Sequence, residues 1–290
     1  MEAAVATPDT MMSAVESPTR RAVRRFLRNR AAVVALATVI LIILAAILGP
    51  TLVKWDANTP DYSVVTQPPS QDHWFGTDQL GRDMVARILA GARISLQIAF
   101  VAGLINLFIG VAYGATAGYT GGRVDAAMMR VVDVLYGVPT ILVVILLMVY
   151  LDQGITNIYL AIGLTYWLNM ARLVRAEVLS LKQRDFVQAA RAMGARPARI
   201  LALHILPNCA GVILVTLTLF IPEAIFTEAF LSYIGLGVPA PDASWGSLAA
   251  DGTHSLRASP YLLLFPGLAL CITMLAFNIV GDALRDAVGR

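Results

Sequence analysis

The feature that most constrains this chain is a series of long apolar blocks that contain no charged residue. An α-helix needs about 20 consecutive apolar residues to cross the hydrocarbon layer of a bilayer, because each residue advances the helix by only ~1.5 Å. Each block meets or nearly meets that length, so the sequence predicts six transmembrane helices. The blocks are Ala31–Val53, Ile94–Gly122, Val134–Leu151, Gln153–Ala171, Ile205–Pro222 and Ala258–Gly281.

The composition supports a membrane protein. The 290 residues are 58% hydrophobic and only 14% charged, whereas about a quarter of the residues in a soluble domain are charged. The first block, Ala31–Val53, is longer than the apolar core of a cleaved signal peptide, which is about 7–15 residues. We therefore expect an all-α integral membrane protein in which the first block is a retained helix.

The distribution of basic residues predicts which side of the membrane each connection occupies. Arginines just before the first block favour a cytoplasmic N-terminus, because basic residues near span ends prefer that side. Alternation from there leaves five of the 22 basic residues outside and places both termini in the cytoplasm. An extracytoplasmic segment then covers about residues 54–93, and a large cytoplasmic loop covers about residues 172–208. The five outside are Lys54, Arg82, Arg87, Arg93 and Arg257.

The N-terminal residues 1–25 are expected to form a disordered cytoplasmic tail, because its first part contains few large apolar side chains. The remainder, residues 26–290, is predicted to be one transmembrane domain. We interpret the arginines of the tail as a topogenic anchor that faces lipid, and not as a nucleic-acid site.

Small and helix-breaking residues inside the blocks predict how the helices pack. Gly110, Gly114 and Gly118 lie on one helix face, and this spacing lets two membrane helices approach closely. Pro139 and Pro222 interrupt helical hydrogen bonding, and irregular backbone at membrane depth persists only where protein or water covers it. Each proline marks either the border of a cavity or a simple kink, and the sequence leaves both open.

A short amphipathic helix is predicted inside the cytoplasmic loop. Asp185 is a suitable N-cap and Gly194 a suitable terminator, so about eight residues form the helix. Two alanines at the centre of its apolar stripe would let a partner backbone come close. Because so short a helix is unstable alone in water, either a partner or the chain's own spans and the lipid surface must cover it. The stripe is Phe186, Ala189, Ala190 and Met193, flanked by Arg184, Arg191 and Arg196.

Two acidic residues in or near the outer part of the fifth span are candidate functional groups, because an ionisable side chain at membrane depth is costly and faces protein or water. One interpretation is that Glu223 meets a substrate amino group or helps to gate a cavity. The other is that Glu223 pairs within a subunit contact while Glu228 lies at the interface. We prefer the second interpretation. The histidines and cysteines lack ligand spacing, so we expect neither a metal site nor a catalytic site.

The cytoplasmic helix is part of a longer pattern. It reads Gln188-Ala189-Ala190, three residues, Gly194, nine residues and then His204-Ile205-Leu206-Pro207. This pattern resembles the Glu-Ala-Ala loop of binding-protein-dependent ATP-binding-cassette (ABC) permeases, with Gln188 at the usual Glu position. Further stretches are similar to the C-type subunit of the dipeptide and oligopeptide branch. They are Gly76-Thr77-Asp78 with Gly81-Arg82-Asp83, Leu231–Gly237 with Trp245-Gly246, and Phe277-Asn278 with Gly281-Asp282.

The resemblance implies a type I ABC importer permease fold in the plasma membrane of a prokaryote. It implies a complex with a second, related permease, two ATP-hydrolysing subunits and an extracytoplasmic peptide-binding protein, with a peptide as cargo. In that family the cytoplasmic helix docks in a groove on the ATPase. The chain itself lacks the Gly-x-x-x-x-Gly-Lys-[Ser/Thr] phosphate loop, so ATP and Mg are expected on the partner subunits and no cofactor on this chain.

Two other classes of protein are weighed against this reading. A self-sufficient secondary transporter would carry proton or sodium relays within its spans, and the acidic residues here are few and peripheral. A membrane enzyme would carry a Ser/His/Asp, His-cluster or paired-carboxylate constellation at membrane depth, and we find none in the sequence.

Overall fold

The structure, a computed structural model, describes residues 18–288, and all regular elements in that range are helices. Residues 53–83 form an irregular segment between the second and third helices, as the prolines of this stretch predict. A π-helical turn (Leu201–Ile205) joins α8 to α9. The helices are α1 (Pro18–Arg28), α2 (Arg30–Leu52), α3 (Met84–Thr120), α4 (Gly122–Tyr136), α5 (Thr140–Leu151), α6 (Ile155–Leu181), α7 (Asp185–Ala192), α8 (Pro197–Ile200), α9 (Leu206–Tyr233), α10 (Trp245–His254) and α11 (Tyr261–Val288).

Four helical stretches in the described residues are long and apolar enough to cross a membrane: α2, α3, the continuous run Pro197–Tyr233, and α11. The pair α4 and α5 makes a fifth if it is one broken span, because the two helices meet at an angle of 81°. The predicted third block, Val134–Leu151, is therefore not one straight helix. Pro139 precedes the first residue of α5 and cannot continue α4, so the chain turns there. Length and composition do not confirm the count of six.

The N-terminal helix α1 departs from the prediction for the tail. Disorder was expected up to residue 25, yet the chain is helical from Pro18 to Arg28. The physical reason is the side chain of Phe26, which is buried against alanines of α11, with Ala22 packed beside it. This contact anchors the basic helix to the membrane domain. The part of the predicted tail before Pro18 lies outside the described residues.

Helix α3 begins ten residues before the predicted block, at Met84. The carboxylate of Asp83 accepts a hydrogen bond from the Ala86 amide at 2.9 Å, which confirms Asp83 as the predicted N-cap. The second carboxylate oxygen of Asp83 contacts Nδ1 of His73 at 2.9 Å. Because both groups are buried, this pair ties the irregular outer segment to the start of the helix.

Helices α3 and α6 pack along the glycine face of α3, as the Gly110, Gly114 and Gly118 spacing predicts. A methyl group on Gly110 would lie 2.6 Å from Cβ of Met170, and one on Gly118 would lie 2.8 Å from the Arg175 carbonyl oxygen. Each distance is too short for a real Cβ, so only glycine allows this approach. The partner of the glycine face is thus α6 of the same chain.

The apolar core has one cluster at each end of this helix pair. The first joins α3, α5, α6 and α9 through buried residues such as Ile98, Met148 and Ile225. The second lies at the other end and joins α6, α7, the π-helical turn and α9 through Met170, Val187 and Ile205 among others, so we call it the α7 cluster. Apolar side chains of α2, such as Leu41 and Leu48, remain exposed as expected for a surface that meets lipid.

The close approach of α3 and α6 predicts the effect of the smallest possible substitution. Gly114→Ala would place a methyl group against the Ala171 carbonyl and force the helices apart, with a cost of about 1–3 kcal/mol in the free energy of unfolding. Gly267→Ala is the matched control, because a methyl group there meets no atom within 4 Å. Thermal unfolding of the purified chain in detergent should show a lower midpoint for Gly114→Ala only. Equal midpoints would contradict the packing described here.

Candidate functional site

Local interactions determine where helix α7 begins and where it ends. Its N-cap position is Arg184, which has extended backbone and makes no side-chain capping bond, so the prediction of Asp185 as N-cap is wrong by one residue. Asp185 lies in the first turn, where its charge complements the helix dipole. At the other end Gly194 has φ = +79°, and the Ala195 amide donates to the Ala190 carbonyl at 3.1 Å. This is a Schellman-type end, which confirms Gly194 as the terminator.

The chain itself covers one side of α7. Val187 and Ala190 are buried in the α7 cluster against α6 and the π-helical turn. The predicted stripe is therefore divided, because Ala190 faces the chain's own interior and is not available to a partner. Val187, which the sequence pattern did not single out, is its companion on the covered side. The chain's own spans thus cover one side of the helix, and the contact with a partner stays a prediction for the other side.

The other side of α7 carries exposed apolar side chains. The side chains of Phe186, Ala189 and Met193 form this surface, which we call the outer face of α7. Phe186 is 41% exposed and Met193 is 81% exposed, although both side chains are large and apolar. Exposed arginines surround the face and make it basic. They are Arg184, Arg191, Arg196 and Arg199.

Helix α7 is linked to the membrane region by the turn at residues 193–196 and by side-chain packing in the α7 cluster. From Pro197 the chain runs through α8, the π-helical turn and α9 as one helical stretch to Tyr233. Ile200, Ile205 and Cys209 of this stretch are buried in the α7 cluster. The α7 cluster therefore joins α7 to the beginning of α9.

Helix α9 forms one wall of a cavity of about 400 Å³ between α3, α4, α6, α9 and α11. The wall is a single helix face, because its residues recur at intervals of three and four. Among the described residues that line the cavity, Glu223 is the only acidic one and Arg285 is the only basic one. The lining side chains are Asn106, Tyr136, Thr140, Thr165, Tyr166, Leu168, Asn169, Met170, Leu173, Val212, Val215, Thr216, Leu219, Phe220, Glu223, Arg285 and Val288.

The two predicted prolines relate differently to this cavity. Tyr136 and Thr140, on either side of the Pro139 break, both line it, so that break borders the cavity. Pro222 is buried within α9 and does not line it, although the next residue, Glu223, does.

Asn106 is a cavity residue that the sequence analysis missed. Its side chain is only 2% exposed, and its Oδ1 atom has no hydrogen-bond partner within the part of the chain that the structure describes. A buried acceptor without a partner costs about 1–3 kcal/mol, so natural proteins rarely retain one without a use. The available signal was an amide in the middle of the apolar block Ile94–Gly122, a position that membrane helices seldom give to asparagine.

Glu228 does not line the cavity. It is fully buried between α9 and α10, where its Oε1 accepts hydrogen bonds from Ser232 at 2.7 Å and from Ser244 at 2.5 Å. Ser244 is also the N-cap of α10, and with Ser247 it forms a capping box. Glu228 therefore holds α10 against the outer end of α9, which is a structural task.

The outer signature Gly76–Asp83 is also structural. The Asp78 carboxylate accepts from Nε of Arg82 at 2.7 Å and lies 3.3 Å from Nε of Arg87. Arg87 donates to the Ala57 carbonyl at 3.0 Å and so closes the segment. Burial raises the pKa of the nearby Asp251 carboxyl on α10, while Arg87 and Arg82 oppose that shift. The signature thus folds the outer segment onto α3 and α10.

Comparison with known proteins decides the family. Residues 109–290 match the family model described as "Binding-protein-dependent transport system inner membrane component". The chain belongs to this family. Residues 17–69 of the permease match a second model, "N-terminal TM domain of oligopeptide transport permease C". The two matches place the permease in the oligopeptide and dipeptide branch of ABC importers, and they confirm the resemblance inferred from its motifs.

Curated relatives agree over nearly the whole chain. The permease is 52% identical to the oligopeptide transport system permease protein OppC of Bacillus subtilis, over 92% of this chain and 88% of that protein. It is 45% identical to the dipeptide transport system permease protein DppC of the same organism, over 94% of this chain and 85% of that one. OppC of Escherichia coli K12 is 44% identical, over 91% and 88%.

A solved structure supports the fold. A chain of the MetNI methionine ABC transporter, in an inward-facing form, matches with a TM-score of 0.53 and 17% identity, over 69% of the permease and 95% of that chain. At this identity the likeness concerns the fold alone. The permease is thus a multi-pass membrane protein of a prokaryotic inner membrane with the helical fold of ABC importer permeases.

The buried carboxyl of Glu228 generates a test of its structural role. Glu228→Ala removes the acceptor shared by Ser232 and Ser244 and leaves a void, so we expect the free energy of unfolding to fall by about 2–4 kcal/mol. Glu228→Gln keeps a carbonyl oxygen in nearly the same place and should cost about half as much or less. Thermal unfolding in detergent measures both. A Gln variant as unstable as the Ala variant would show that charge, and not the two hydrogen bonds, matters here.

Proposed function

We propose that the chain is the permease subunit of an ATP-driven importer that forms a translocation pathway for oligopeptides or dipeptides together with a second, related permease. The observation that carries the coupling mechanism is the packing of α7 in the α7 cluster against the helical run Pro197–Tyr233, whose residues from Val212 to Glu223 line the cavity. The cargo class follows from relatives at 44–52% identity that are named oligopeptide transport permeases.

Six membrane crossings with both termini in the cytoplasm fit the chain best. Besides the four apolar helices, α4 and α5 together form a bent crossing, and α6 forms the sixth. With 27 residues, α6 is about 40 Å long, which exceeds the ~30 Å hydrocarbon layer. Its low apolarity is consistent with a crossing because α3, α9 and the cavity surround it, so that its polar groups need not meet lipid.

The outer face of α7 is the proposed contact with an ATP-hydrolysing subunit. Phe186 and Met193 would enter an apolar groove on that subunit, while the surrounding arginines would meet carboxylates at its rim. Closure of two such subunits on ATP would then pull α7, and with it the inner half of α9. ATP and Mg would be bound by those subunits, since this chain has no phosphate loop.

The extracytoplasmic segment, folded by Asp78 and Arg87 onto α10, is the proposed landing surface for a peptide-binding protein. Its irregular backbone is held in one conformation by buried contacts such as the His73–Asp83 pair. A preformed surface of this kind lowers the ordering cost of association.

The docking proposal predicts the result of one added charge. Met193→Asp places a carboxylate on the outer face of α7 and leaves the buried side of the helix unchanged. The permease should therefore fold normally but lose its ATPase subunits. Truncating a central contact residue typically weakens an interface by at least tenfold, and an unpaired charge should do more. The measurement is co-purification of the ATPase subunits with a tagged permease from native membranes.

Ala192→Asp is the matched control, because it adds the same charge to an exposed position about 100° around the helix from Met193. It should retain the ATPase subunits. If both variants retain them, the outer face is not the docking surface. Ala190→Asp is unsuitable for this test, since Ala190 is buried within the chain and its substitution would disturb folding.

A further inference from the structure

The cavity combines one carboxylate with an acceptor that has no partner. Glu223 on α9 is exposed on its surface, and the buried Oδ1 of Asn106 on α3 belongs to the same lining. Several other polar groups of the wall are already engaged. The hydroxyl of Thr165 donates to the Ala161 carbonyl at 2.6 Å, and that of Thr216 donates to the Val212 carbonyl at 2.8 Å. Among the described lining residues, Glu223 offers the only carboxylate to a ligand that brings N–H donors, beside the amide oxygens of Asn106 and Asn169.

The two acceptors lie on facing helices, about two helical turns apart in level. Gly103, one turn before Asn106 on α3, packs against Leu217 and Phe220 of α9. Glu223 stands one turn beyond Phe220, toward the outer end of α9. A ligand entering from outside therefore meets Glu223 before Asn106.

The cavity is also polarised along its length. At the inner end, Val288 of α11 packs against Gly211, and Arg285, one turn earlier, lines the same region as Val212. From Val212 to Glu223, 11 residues of α9 span about 16 Å. An extended peptide advances ~3.3–3.6 Å per residue, so about four or five residues would fill this length.

We propose that Glu223 binds the free N-terminal ammonium group of the transported peptide, and that Asn106 accepts a hydrogen bond from a main-chain N–H about two residues further along the peptide. This inference rests on the proposed peptide-import function and assigns the groups that select the cargo. Both interactions use atoms that every peptide with a free amino terminus presents, whatever its side chains. A site of this kind would discriminate against a blocked amino terminus while it tolerates varied sequences.

The test uses the complete complex in proteoliposomes with one saturating binding protein and two peptides, tri-alanine and N-acetyl-tri-alanine. Loss of a charge-assisted hydrogen bond costs about tenfold or more, so Glu223→Gln should slow tri-alanine transport about tenfold and leave the acetylated peptide unchanged. The same binding protein serves the wild type and the variant. Its own preference between the two peptides therefore cancels when the ratio of the tri-alanine rate to the acetylated-peptide rate is compared between the two permeases. Glu223→Asp, which keeps the charge, should retain most of the wild-type ratio.

A second variant separates recognition from packing. Asn106→Leu removes the unpaired acceptor at similar volume, so the thermal midpoint of the complex should stay equal or rise. Tri-alanine transport should nevertheless fall severalfold. If the midpoint and the rate fall together, Asn106 serves packing or subunit contact, and its assigned role is overturned.

The outcomes also separate this inference from the proposed function. If the wild-type complex transports neither peptide, the proposed peptide import is itself wrong. If it transports tri-alanine and Glu223→Gln leaves the ratio of the two rates unchanged, only the assignment of Glu223 is overturned. Equal slowing of both peptides would likewise overturn it, because that result indicates a general effect on the transport cycle.

Discussion

The close packing of α3 on α6 is the contact on which the other parts of the molecule depend. At Gly110, Gly114 and Gly118 the two backbones lie so near that no side chain fits between them. Within the membrane, where apolar surface gains nothing by leaving lipid, such backbone proximity is a principal source of helix association. It positions Met170, Val174 and Val178 of α6, which form the surface on which α7 lies. It also holds the polar side of α6 toward the cavity and away from lipid.

Ion pairs attach α4, the first helix of the bent α4 and α5 pair, to this core. Nη2 of Arg175 lies 2.6 Å from Asp125, and Nη2 of Arg172 lies 2.7 Å from Asp133. Arg172 also lies over the ring of Tyr136 at 4.1 Å, just before the break at Pro139. The break therefore has rigid support on its α4 side, while its own residues border the cavity. Irregular backbone at this depth is covered by protein and by cavity, which is the condition under which it persists in a membrane protein.

Some features were predictable because they depend on neighbours in sequence. Four of the apolar blocks, the Asp83 cap and the glycine end of α7 all follow from local chemistry, and the structure confirms them as helices of membrane length, a cap and a helix end. Other features depend on which elements meet. The division of α7 into a covered and an exposed side required knowing that α6 lies beneath Val187 and Ala190. Nothing in the spacing of an eight-residue helix tells which of two adjoining faces its own chain will cover.

The amino-acid sequence by itself determined the chemical class of this protein: apolar helices of membrane length, basic connections between them, and motifs of the binding-protein-dependent permeases. Only the tertiary structure decided what the polar residues inside the membrane do. Glu223 and Glu228 are five residues apart on one helix, yet one faces the cavity and the other joins two serines in the interior. The reason is that apolarity is a property of each segment, whereas the partner of a buried polar group is supplied by distant segments of the chain, here α10 for Glu228.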